Sequence, residues 1–191
     1  MEDVVSLSQD GTVTVPPLLN SAMGQVFTDD RISDFVTLVN EGNSGLYGLQ
    51  LTRADQAFTL GVLSVSSGQD VRLFSTAVDS SVIFSDTVDV AGSLTVRGTF
   101  TTLTFASSTS VASDASLIVR PNEDEVSPAA GSGVTFSGDV SLGTAAEMAL
   151  TGTTSAVTLE GRFQIGQDAA VMMRVTADAV TFLGSVDHGG S

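Results

Sequence analysis

A ten-residue pattern returns every 23 residues in the C-terminal third of the chain, and this recurrence constrains the fold more than any other feature. Val134-Thr135-Phe136-Ser137-Gly138-Asp139-Val140-Ser141-Leu142-Gly143 reappears as Val157-Thr158-Leu159-Glu160-Gly161-Arg162-Phe163-Gln164-Ile165-Gly166 and starts again at Val180-Thr181-Phe182-Leu183-Gly184-Ser185-Val186. The shared columns read apolar-Thr-apolar-x-Gly-x-apolar-x-apolar-Gly. Looser copies of the head lie at Leu103-Thr104-Phe105, Val82-Ile83-Phe84, Phe58-Thr59-Leu60 and Val36-Thr37-Leu38. The seven heads follow one another at spacings of 22, 24, 21, 31, 23 and 23 residues. The long spacing contains Pro121-Asn122-Glu123-Asp124-Glu125-Val126-Ser127-Pro128, the size of a loop added to an otherwise ordinary unit.

Within each unit the apolar residues alternate with polar ones, as in Val134/Phe136, Val140/Leu142 and Met148/Leu150, which is the period of a half-buried strand. About three such strands fit in one unit, separated by Gly, Ser, Thr, Asp or Ala. Units of this length wind as coils, each strand pairing in parallel with its equivalent about 4.8 Å along the axis. The expected fold is therefore all-β: a right-handed parallel β-helix, a single-stranded solenoid of about seven coils of 21–31 residues, roughly 35 Å long at that spacing. The right hand follows the usual behaviour of β-helices with coils this long. Residues 1–34 lack the repeat and form an N-terminal cap or arm; residues 35–191 form the β-helix domain.

Stacking predicts three inward ladder pairs. The first joins Val36, Phe58, Val82, Leu103, Val134, Val157 and Val180, and beside it Leu38, Leu60, Phe84, Phe105, Phe136, Leu159 and Phe182, with ring-on-ring contact wherever Phe follows Phe. The second carries Val88/Val90, Thr109/Val111, Val140/Leu142 and Phe163/Ile165. The third carries Leu49/Leu51, Val71/Leu73, Leu94/Val96, Leu117/Val119, Met148/Leu150 and Val171/Met173. Gly138, Gly143, Gly161, Gly166 and Gly184 are expected at corners with positive φ and close coil approach. Pro16-Pro17 cannot donate ladder hydrogen bonds, and Asp29-Asp30-Arg31-Ile32-Ser33-Asp34 reads as a turn or short helix. The far end stops a strand or so into its last coil and leaves an edge without a cap, awaiting either a partner or the rest of a longer chain.

Chemistry is sparse. The chain has 22 acidic residues against 7 basic ones, all Arg, and a formal net charge of −15. That balance repels phosphate backbones and anionic lipid, so nucleic acid and membrane insertion are not expected. With no Cys there is no disulfide, thiolate site or Cys nucleophile. Met1-Glu2-Asp3-Val4-Val5 shows no signal peptide. Asp86, Asp89, Asp139 and Arg162 are the candidates for a catalytic wall, but Ser108 separates Asp86 from Asp139 in their expected column, so no carboxylate pair stacks. Asn122-Glu123-Asp124-Glu125 is the densest acidic run and lacks the ligand alternation and Gly of a calcium loop. The lone His188 has no partners for a triad or zinc site. Tyr47 is the single Tyr and there is no Trp, so a sugar cleft has few aromatic platforms.

The chain resembles, at the level of coil architecture, the pectate lyase and polygalacturonase β-helices and the structural β-solenoids of phage fibres and bactofilin filaments, although bactofilin coils are shorter and more uniform. The structural resemblance implies a self-assembling protein: a homo-oligomer or filament, with or without other structural proteins, placed in a virion, on a cell surface or in a cytoplasmic filament. On that reading the chain is not an enzyme and needs no cofactor or metal. Its assembly residues are expected among Pro16, Pro17 and Phe27 at one end and Val180 and Phe182 at the other. Two alternatives remain. One is a carbohydrate-binding or carbohydrate-cleaving β-helix. The other is an ice-binding module using the outward ladder Thr37, Thr59, Thr104, Thr135, Thr158 and Thr181, interrupted by Ile83.

Overall fold

The computed structural model describes residues 6–7, 13–14, 24–122 and 131–189. It is an all-β parallel solenoid of about seven turns with one short helix near its N-terminal end. Three walls run along the rod. The first is built from strand residues 57–60, 81–84, 102–105, 133–136, 156–159 and 179–182. The second is a six-stranded sheet from Leu63–Val65 at one end to Val186–His188 at the other. The third begins with Gly24–Thr28 and Gly45–Leu51 and ends with Ala170–Thr176. In two turns the chain passes from third to first wall without leaving the strand conformation, giving the long strands Gln69–Phe84 and Ser93–Phe105.

The register realises the expected ladders from the second head onward. Phe58, Val82, Leu103, Val134, Val157 and Val180 pair in sequence, as do Leu60, Phe84, Phe105, Phe136, Leu159 and Phe182. Ring centroids are 4.7 Å apart for Phe84 and Phe105 and 4.4 Å for Phe105 and Phe136, with planes within 11° and 6° of parallel. Strand pairing sets this face-on geometry: rings that share a rotamer one turn apart have little choice but to stack. The second wall adds Leu63/Val65 below and Val186/His188 above the expected pairs. Thr109 occupies one rung of that inward ladder, buried among Val88, Val140 and their neighbours, and its hydroxyl has no hydrogen-bond partner.

Two expectations fail. Val36-Thr37-Leu38 is not a strand: it lies in helix α1, Ile32–Asn40, which follows a 3-10 turn at Asp29–Arg31 and runs past the expected boundary at residue 34. The local alternation is overruled by the wider helical spacing of Ile32, Phe35, Val36 and Val39, two of which, Phe35 and Val39, are wholly buried. In the third wall, Leu49 pairs with Leu73 rather than with Val71, whose partner is Tyr47. The expected alignment there is two residues out, because the apolar run from Leu49 to Leu51 mimics the pair one step earlier.

Corner chemistry also differs in part. Gly138, Gly161 and Gly184 have ordinary φ, but a Cβ on Gly161 would lie 2.4 Å from the Gly138 carbonyl oxygen, and one on Gly184 would lie 2.1 Å from that of Gly161. Close approach of successive turns is what excludes a side chain there. Positive φ falls instead on Asp114, Ala145 and Asp168, at the turn into the third wall.

While the other two corners differ by one or two residues, the largest differences in coil length are absorbed at the corner between the third and first walls. The register slips there between Ser75 and Ser80, and the loop expected after Pro121 leaves from the same corner, residues 123–130 lying outside the described set. Asn122 holds this corner together. It is buried, with φ at 48°, its Oδ1 accepting from the Phe100 amide at 2.8 Å and its Nδ2 donating to the Phe100 and Thr153 carbonyls at 3.2 and 3.0 Å. One side chain thus bonds to the turn below and the turn above.

Two substitutions test the packing in opposite directions. Phe136→Ala opens a cavity at the end of the ring stack and is expected to cost about 3–5 kcal/mol. Thr109→Val removes an unpaired buried hydroxyl at nearly constant shape and is expected to stabilise by about 1 kcal/mol. Urea denaturation followed by circular dichroism measures both, and a destabilised Thr109→Val would show that the hydroxyl has a partner.

Candidate functional site

The two ends of the rod are chemically different surfaces. At the N-terminal end, α1 takes the place of a first-wall and a second-wall strand in the first turn. A helix suits this position because its backbone groups bond internally and leave no ladder for another chain to extend. Polar side chains join it to the sheets. Asn40 Nδ2 donates to the Val62 carbonyl at 2.9 Å and Asn40 Oδ1 accepts from the Ser64 amide at 2.7 Å, so a single amide occupies the free edge of strand Leu63–Val65 as a neighbouring strand would. Gln69 Nε2 donates to the Val39 and Asn43 carbonyls at the helix end while its Oε1 accepts from the Ser66 amide. The buried Asp29 carboxylate accepts from the amide and hydroxyl of Thr52, both at 2.7 Å. Phe27, one of the expected assembly residues, is buried in this cap, its ring edge-on to Phe35 at 6.0 Å and beneath the Arg31 guanidinium. Pro16 and Pro17 lie outside the described residues.

At the other end the last strands among the described residues are Ala170–Thr176, Ala179–Phe182 and Val186–His188, each paired there on one side only. The last turn therefore reaches the second wall, further than the sequence suggests. Val171, Val180, Phe182 and Val186 sit at ladder positions that earlier turns bury, yet they are 36%, 45%, 42% and 52% exposed. Leu183 and Met172 extend the apolar surface outward. Of seven large hydrophobic residues exposed among the described residues, six belong to this turn, so the exposure is concentrated rather than scattered. His188 is not in a loose tail: it occupies an inward second-wall position above Ile165.

Among the described residues the side walls bring no cluster of reactive groups together. Asp86 aligns with Ser107 and Gly138, one residue ahead of the column of Ser108, Asp139 and Arg162, so the expected Asp86–Asp139 column does not exist. Each of these aspartates is engaged locally: Asp86 by the Thr87 amide at 2.8 Å, Asp89 by the Ser110 hydroxyl at 2.5 Å, and Asp139 by the Arg162 amide at 2.8 Å. The Arg162 side chain pairs with Asp187. The Arg72 guanidinium is held above its ordinary pKa by its hydrogen bonds to Asp70, which strengthens the cation rather than preparing a base. No cluster of three His, Asp or Glu side chains suited to a metal occurs among the described residues. Asn122, first in the acidic run, spends its side chain on backbone groups.

A cleft of about 520 Å³ lies between α1 and strand Ala57–Leu60, floored by Ile32, Val36 and Leu60. Its two carboxylates are occupied, Asp29 by Thr52 and Asp30 by Arg53. Tyr47 is buried, its hydroxyl donating to the Asn43 carbonyl, and offers no platform for a sugar. The outward Thr column is straight from Thr59 to Thr181 except at Ile83, but Thr104, Thr135 and Thr158 are half-buried. Among the described residues no helix is long and apolar enough to cross a membrane. Comparison with protein-family models, curated proteins and solved structures returns no match.

The cap amide has a sharp test. Asn40→Ala leaves the Ser64 amide and Val62 carbonyl without their partner and is expected to cost about 1–3 kcal/mol. Hydrogen exchange should localise the loss to residues 57–65; uniform protection along the rod would instead show that solvent replaces the amide at little cost.

Proposed function

We propose that this protein is a structural building block: a rigid solenoid that takes part in an assembly through its open end and performs no catalysis. The observation that carries this reading is the contrast, among the described residues, between a first turn covered by a helix and three side-chain staples and a last turn with an apolar cross-section and three strand edges paired on one side. Natural β proteins blunt such edges unless something covers them. The walls support the same reading from the other direction, since Asp86, Asp89 and Asp139 are each bonded locally, and the one cleft described above has both its carboxylates engaged. A fold-level kinship in use with the solenoids of phage fibres or bactofilin filaments belongs to this proposal, as do a virion, cell-surface or filament setting and a partnership with copies of itself or other structural proteins.

Sedimentation velocity and negative-stain imaging of the purified chain at micromolar concentration provide the test. Species heavier than the 19.5 kDa chain, growing with concentration, are expected. A strict monomer at every salt concentration would overturn the reading, as would robust cleavage of a polysaccharide by the same preparation.

A further inference from the structure

We draw no further inference here: the strongest candidate, the outer face of the third wall, where Arg72, Arg97, Arg120 and Arg174 gather four of the chain's seven basic residues, carries nothing, because Arg72 is paired with Asp70, Arg97 and Arg120 have interactions of their own, Arg174 stands on the last described turn, and residues 123–130, which follow Arg120, lie outside the described set.

Discussion

In-register parallel pairing is the constraint on which the rest of this structure depends. Because each strand sits over its equivalent one turn away, every inward position belongs to a column, and a column tolerates only chemistry that can neighbour itself. Leu60, Phe84, Phe105, Phe136 and Leu159 satisfy that condition, and the face-on ring stack is its direct outcome. The same rule explains the glycine column of 138, 161 and 184, where successive corners come too close for a Cβ. Thr109 breaks the rule in the second wall, an unpaired hydroxyl in an otherwise apolar ladder.

A column rule this strict confines length variation to the corners. Two corners vary by one or two residues, and the largest insertions collect at the corner between the third and first walls. Polar groups gather there for the same reason. Irregular backbone needs partners that the ladders no longer supply, and Ser75, Ser80, Asn122, Ser132, Thr153 and Thr154 are all buried at this corner. Asn122 is the clearest case, since its amide replaces backbone bonds on two turns at once.

Much of this architecture was legible in the sequence because the repeat carries both spacing and alternation. Heads 58 to 180 align without error, and the 31-residue spacing marks the insertion at the right corner. The departures share a cause: a three-residue pattern does not discriminate where a longer window does. Val36-Thr37-Leu38 has the spacing and alternation of a strand, but Ile32, Phe35 and Val39 set a helical period across it. Leu49-Gln50-Leu51 fits the third wall in two registers. Asn122 was hidden among acids, and nothing in a single sequence separates a buried amide from a solvated one. The open end was visible as an edge without a cap. That Asn40 and Gln69 close the opposite end depends on side-chain direction, which periodicity does not encode.

The unequal ends also distribute stability unequally. In a solenoid each turn is stabilised by its own packing and by the turns on either side. The first turn gains a helix, a buried carboxylate and two amide staples in place of a lower neighbour. Among the described residues the last has one neighbour and a half-exposed ladder, so within them it is the turn whose local opening costs least.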